Sequence, residues 1–192
     1  AGKVKNVLII CAEQPTRMCD WSDRSTCVLF GDGAGAAVLG PGNNIKGIKL
    51  HSQLDVDKIW EKQSLMPTPY YDGDNRAIGL QMKGREVFKF AVNASTRDVE
   101  ALLSELNMSK KDVNWYIVHQ ANLRILDAIK QYLNESDDKF PTNISDHGNS
   151  SSASCLILLD EANRGGKFKE NDVLVFSAFG AGLLSAVAVV EW

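Results

Sequence analysis

What this chain lacks narrows what it can be. No apolar run approaches the ~20 residues needed to cross a bilayer; the longest, near the C-terminus, is broken by Gly and Ser. There is no basic surplus: 21 Lys and Arg face 24 Asp and Glu, for a net charge of -3, with no basic stripe to follow a nucleic acid. Cysteine is sparse. Cys11, Cys19, Cys27 and Cys155 show neither C-x-x-C spacing nor the density of a disulfide framework, and they read as reduced thiols of a cytoplasmic protein. The three histidines include no HxH or HxxxH pair, which argues against a metal hydrolase built on them, so no metal is expected. Val7 to Cys11 is too short for a secretory signal and is followed at once by acidic and polar residues. An initial Met is missing too: Ala1 leads almost directly into a strand-like run, as in a cut or processed chain.

What is present is apolar patterning. At 44% hydrophobic content, 192 residues can build one substantial core or somewhat more. KNVLIICA (5–12) reads as a buried strand, and STCVLFGDGAGAAVL (25–39) as a glycine-broken turn feeding a second. The turn at 41–44 is the expected domain boundary, dividing 1–40 from 41–192. A strand begins at Ile45, and 52–79 form a polar, Pro- and Gly-bearing excursion to which no site residue is assigned. Residues 85–106 predict a long amphipathic helix with Phe88, Ala91, Val92, Val99, Leu102, Leu103 and Leu106 on its apolar side. Ser109 to Asp112 resembles a capping-box turn. Strands alternating with helices predict an α/β fold with parallel pairs. An internal echo adds to this. Residues 7–39 and 173–190 each run from an apolar strand through aromatic-Gly-x-Gly to a second apolar strand, which suggests a duplicated fold.

Three junctions carry polar groups suited to chemistry. In VNWYIVHQANLRILDAIKQYL (113–133), an apolar strand ends at His119, and a helix with Leu123, Leu126, Ile129 and Leu133 on one face begins behind an Asn122 N-cap. Ligands of open α/β sheets bind at such strand ends; a hydrogen-bonded structural histidine is the plainer alternative. In DHGNSSSAS, Asn149 precedes a run of small residues opening a helix with Leu156, Leu159 and Ala162, and Gly148 allows close approach of backbone to ligand. In FGAG (179–182), backbone N–H groups could face an anionic oxygen, although a plain hairpin turn has the same composition.

Taken in order, DRSTCVLFGDGAGAAVL (23–39), HQANLRI (119–125), HGNSSSAS (147–154) and AFGAG (178–182) resemble β-ketoacyl-acyl-carrier-protein synthase III, a thiolase-like condensing enzyme that begins bacterial fatty-acid synthesis. The resemblance implies an α/β, thiolase-like mixed sheet with helices on both faces: a complete C-terminal half at 41–192, with the last strands of an N-terminal half at 1–40. It implies His119 and Asn149 as two members of a Cys–His–Asn triad, with the backbone N–H of Ala181 in the oxyanion hole, where the family often has glycine. Arg24 matches a residue that packs on the CoA adenine. Met82, Gly84 and Phe88 fall where the pantetheine tunnel is lined. Gln120, Ala121, Asn122, Leu123 and Arg124 match the carrier-protein-binding segment, with Lys89 and Lys130 as weaker cationic candidates. His147 is expected to be structural, and His51 a poorer candidate still.

Acyl-CoA, acetyl-CoA above all, and malonyl-acyl-carrier protein are the implied substrates and partners. No separate cofactor, nucleic acid or membrane is implied, and the complete protein is expected to be a homodimer. Cys11 and Cys27 are expected within apolar strands, Cys155 inside a helix and Cys19 in the segment before Asp23; none of the four stands in the family's nucleophile motif, so the chain alone is expected to be inactive and to need a Cys-bearing N-terminal half in the same or another chain. The alternatives are a noncatalytic acyl- or carrier-binding subunit and a secondary-metabolite condensing enzyme paired with a Cys-bearing chain. A papain-like protease shares the three residue types, but the local signature around its Cys is absent.

Overall fold

The computed structural model describes residues 4–60 and 79–192. Most of the 52–79 excursion therefore lies outside the described residues. Strands β1 (Val7–Glu13) and β2 (Gly33–Leu39) form a two-stranded antiparallel sheet, with Val7 opposite Leu39 and Glu13 opposite Gly33. Strand β3 (Ile45–Asp55) follows, then the short pair β4 (Ile59–Trp60) and β5 (Gln81–Met82). Helix α1 (Gly84–Glu105) leads to β6 (Trp115–Val118), and α2 (Leu123–Leu133) returns behind it. A single-turn helix α3 (Ile144–His147), helix α4 (Ala153–Arg164) and the strands β7 (Val173–Gly180) and β8 (Gly182–Glu191) complete the described chain.

The main sheet has the order β3-β8-β7-β6. Only β6 and β7 are parallel; β8 runs antiparallel to both β7 and β3. The alternation of strands and helices thus overstated the parallel pairing, because the last two strands connect by a tight turn that only antiparallel neighbours can share. Side chains alternate between the two faces of this sheet. Tyr116, Val118, Val175, Val187 and Val189 pack with α1 and α2, whereas Ile117 and Leu174 pack with α4 through Leu158 and Ala162. Helix α4 also lies against β2 and β1, so it is held between the main sheet and the two-stranded one.

Local sequence accounts for these elements. The Ser109 turn carries both arms of the capping box, with the Asp112 carboxylate accepting from the Ser109 N–H at 2.7 Å. Asn122 caps α2, its Oδ1 accepting the Arg124 N–H at 2.9 Å. Three expectations need correction. Phe88 is 37% exposed, and Val87 takes the inward place on α1. Leu123 is 47% exposed; as the first residue of α2 it lies at the helix end, and Ile125 with Leu126, Ile129 and Leu133 forms the buried face. Cys27 lies in a turn after Asp23, not in a strand, because the Asp23 carbonyl and carboxylate gather the N–H and hydroxyl groups of residues 25–27.

Candidate active site

His119 follows the last residue of β6, and its N–H continues the parallel pairing by donating to the Ser177 carbonyl at 2.8 Å. The backbone there is fixed by the sheet, and the ring is fixed by two further contacts. Nδ1 lies 2.6 Å from the Ser154 hydroxyl, and the Phe179 ring stands edge-on at a centroid distance of 5.3 Å. Burial pushes the His119 pKa down from 6.5 to about 4, so the imidazole is neutral at physiological pH.

Asn149 lies between α3 and α4, and Phe30 forms a parallel bridge to it. Its N–H donates to the Leu29 carbonyl at 2.8 Å, and its carbonyl accepts from Gly31 at 3.1 Å. Both glycines at this crossing are required. Gly148 has a φ of +64°, and a Cβ on Gly31 would fall 1.9 Å from the His147 carbonyl oxygen. The Asn149 side chain is oriented as well: Oδ1 accepts the Ser151 N–H at 2.9 Å, so Nδ2 is the end left to donate. Ser151 itself has a φ of +52°, an uncommon conformation for serine held by this loop.

His119, Ser151, Ser152, Cys155, Phe179 and Gly180 contribute to the wall of one cavity of about 570 Å³, with Leu50 and His51 of β3 facing them. His51, set aside on sequence grounds, thus borders the same space as His119. Cys155 also lines it from the first turn of α4, but burial pushes its thiol up to about 12, which keeps it protonated. Cys19, in the bend after Pro15, is raised chiefly by burial as well, Cys11 lies on β1 and Cys27 in a turn.

The remaining candidates divide. Ala181 occupies the turn between β7 and β8; among the described residues, positive φ outside glycine is confined to Asn107, Asn134, Ser151 and Asn171, so alanine fits there. Arg24 is exposed in the turn that Asp23 organises, and Arg124 is exposed in the first turn of α2. Met82 ends β5, Gly84 begins α1, and Phe88 shows its ring to solvent one turn on. Ala121 and Asn122 are half-buried at the strand–helix seam, and Leu123 is exposed. Gln120 differs from its neighbours: it is 0% exposed. Its Nε2 donates to the Val118 carbonyl at 2.7 Å, and its Oε1 accepts from the Thr142 hydroxyl and the Asn143 N–H, so no part of it can meet a carrier protein. Lys89 lies 3.7 Å from Glu86; Lys130 is held by Asp127 and Asp137 with only 16% of its side chain exposed, and is a poor docking cation.

His147 joins α3 to α4 through a 2.6 Å contact of Nε2 with Glu161, whose other oxygen accepts from Asn143 at 2.7 Å. The Asn143 hydrogen bond, with His147 adding to it, holds the Glu161 carboxyl below its ordinary range. One residue against the site was missed on sequence grounds: Ser154. A signal was available. Ser154, Leu158 and Ala162 follow at steps of four, so a hydroxyl stands on the buried stripe of α4. Among the described residues no group of three or more His, Cys, Asp or Glu side chains could hold a metal, and no helix is long and apolar enough to cross a membrane.

Residues 103–192 match the family model for the C-terminal part of 3-oxoacyl-[acyl-carrier-protein] synthase III, and residues 1–57 match the companion model for 3-oxoacyl-[acyl-carrier-protein] synthase III. A β-ketoacyl-[acyl-carrier-protein] synthase III of Oceanobacillus iheyensis is 41% identical over 191 residues, a match covering all of this chain and 58% of the relative. The crystal structure of the synthase III from Aquifex aeolicus superposes with a TM-score of 0.88 at 35% identity, over 100% of this chain and 59% of that one. The Thermus thermophilus synthase III superposes with a TM-score of 0.89, also at 35% identity, over 100% of this chain and 60% of that one. The chain spans about three fifths of the length of the curated relatives it matches.

Proposed function

The chain belongs to the 3-oxoacyl-[acyl-carrier-protein] synthase III family, with the thiolase-like α/β fold, and we propose that it supplies the malonyl-activating side of a decarboxylative condensation. Residues 41–192 are read as the C-terminal thiolase-like domain and 1–40 as terminal strands of the N-terminal one. In the complete cytoplasmic protein, taken as a homodimer, a cysteine thiolate outside these 192 residues accepts an acyl group from acyl-CoA, with release of free CoA. Malonyl-acyl-carrier protein then binds, its C–C bond to the carboxylate breaks, and CO2 leaves. The electron pair remains on the α-carbon and thioester oxygen. That carbanion attacks the acyl-enzyme carbonyl and expels the cysteine thiolate, giving the 3-oxoacyl thioester.

The observation that carries this reading is the way the two side chains are tied. Asn149 spends Oδ1 on the loop and keeps its N–H donors. His119 is neutral and fastened through Nδ1, with Nε2 as its other nitrogen. Two neutral donors can stabilise negative charge on the thioester oxygen without a buried counter-charge, each worth about 10²–10³ in rate. Arg24, with Met82, Gly84 and Phe88, is assigned to CoA and pantetheine. Arg124, with Ala121 to Leu123, is assigned to the carrier protein, and Ala181 N–H to the oxyanion of acyl transfer.

The test is CO2 release from carboxyl-labelled malonyl-carrier protein by the purified chain. Slow release that falls about 10²-fold in His119→Ala and in Asn149→Ala is the expected result. No release, or release indifferent to both changes, would overturn the reading. Ketoacyl product formed by the chain alone from acetyl-CoA would overturn the placement of the nucleophile elsewhere.

A further inference from the structure

We infer that Ser154 decides which nitrogen of His119 carries the proton, and holds it on Nε2. A serine hydroxyl has one hydrogen to donate and lone pairs to accept with. At Ser154, 2% exposed, an accepting position is taken by the Gln120 N–H at 3.3 Å. Its closest polar contact is His119 Nδ1 at 2.6 Å. Were Nδ1 protonated, the hydroxyl would accept twice, and its own buried hydrogen would have the neighbouring Cys155 sulfur, a weak acceptor, in place of any oxygen or nitrogen among the hydrogen bonds of the described residues, a costly arrangement for a buried donor. With the hydrogen of Ser154 given to Nδ1, every group is satisfied and the ring proton lies on Nε2.

Gln120 keeps this arrangement in place. Its side chain is tied to Val118, Thr142 and Asn143, so its backbone N–H stays fixed against the Ser154 oxygen. The edge of Phe179 restrains the ring from turning over and exchanging its nitrogens. Ser154 and Gln120 are thus positioning residues acting through His119. The consequence for chemistry rests on the proposed function, which needs Nε2–H as a donor; the tautomer itself does not.

The chain has three histidines, so ¹⁵N-histidine labelling with a His119→Gln spectrum for assignment isolates this ring. Long-range ¹H–¹⁵N correlation at neutral pH, without substrate, reads the tautomer. The expected result is a single Nε2–H form in the native chain. In Ser154→Ala the ratio of Nε2–H to Nδ1–H falls by about tenfold, the equivalent of one net hydrogen bond, and in Ser154→Thr, which keeps the hydroxyl, the Nε2–H form returns. A native ring protonated on Nδ1 overturns the inference, even if Ser154→Ala fails to fold. So does a native pattern unchanged in folded Ser154→Ala. If the tautomer responds as stated while malonyl decarboxylation is absent, the proposed function fails and the role of Ser154 stands. If decarboxylation proceeds with an unaltered tautomer in Ser154→Ala, the reverse holds.

Discussion

The two aromatic-glycine segments, Phe30-Gly31-Asp32-Gly33 and Phe179-Gly180-Ala181-Gly182, look alike in sequence and do different work. Each lies beside an apolar strand, and each touches one of the two candidate donors. The first grips Asn149 through backbone: Leu29 and Gly31 bond to it on both sides, leaving no room for a side chain at Gly31. The second grips His119 through a side chain, the edge of the Phe179 ring, and a Cβ built on Gly180 would meet nothing within 4 Å. The neighbouring strands differ as well. In β7 and β8, Leu174, Val175 and Val189 are 0% exposed; in β1 and β2, Leu8, Ile10 and Val38 are more than 60% exposed. Similar local sequences therefore took different shapes: 30–33 runs from the bridge at Phe30 into β2, whereas 179–182 closes the β7–β8 hairpin, and neighbours in space settled burial and the kind of grip.

The sharpest way to break this comparison is to add one methyl group to each segment. Gly31→Ala drives a Cβ into a backbone carbonyl that belongs to the Asn149 loop, and neither backbone can yield without losing the paired hydrogen bonds. A loss of about 4 kcal/mol in urea unfolding is expected, at the upper end of what one substitution does. Gly180→Ala should stay within about 0.5 kcal/mol of the native chain. Equal effects would show that the two segments grip in the same way.

Truncating the strands gives the next largest contrast. Leu174→Ala removes a fully buried side chain packed among Ile117, Leu158 and Phe168, and should cost about 3 kcal/mol. Leu8→Ala, at a 61% exposed position, should cost no more than about 0.5 kcal/mol. If Leu8→Ala in this chain costs as much as Leu174→Ala, the β1–β2 sheet is covered in solution and the difference in burial disappears.

The contrast also explains what could be read from sequence. The strand ending at His119, the Asn122 cap and the Ser109 box were legible because each is a local pattern with a local cause; the close approach expected at Gly148 is made to the backbone of Leu29 to Gly31, a distant part of the chain that no local pattern names. Phe88 and Leu123 were misplaced because periodicity gives a face of a helix but not how far its neighbours reach along it. Gln120 was misassigned for a related reason. Nothing local distinguishes a glutamine offered to a partner from one tied to Val118 and, more than twenty residues further on, to Thr142 and Asn143. Ser154 was legible in principle, as a hydroxyl on an apolar stripe, but its meaning required knowing that the stripe meets the end of β6. The bare face of β1 read as buried because strand patterns report what a segment can bury, not whether a neighbour is there to cover it.

The smallest expected effect tests the grip on His119. Burial puts its pKa at about 4 in the folded chain, against 6.5 when free. Above pH 6.5 neither state holds the extra proton, and His119 contributes nothing to the pH dependence. As pH falls from 6.5 toward 4 the unfolded chain takes up a proton that the folded chain refuses, so stability drops with falling pH through that window and levels off below it. His119→Gln, which keeps a polar group without titrating, should flatten the fall between pH 7 and pH 5 by roughly 1 kcal/mol, a figure reduced from full burial because the ring borders the cavity. His51 and His147 are present in both proteins, so the difference between the two profiles reports His119. If the two unfolding profiles run parallel across that range, His119 is reached by water in solution, and the Phe179 turn does not shelter it as the Phe30 segment clamps Asn149.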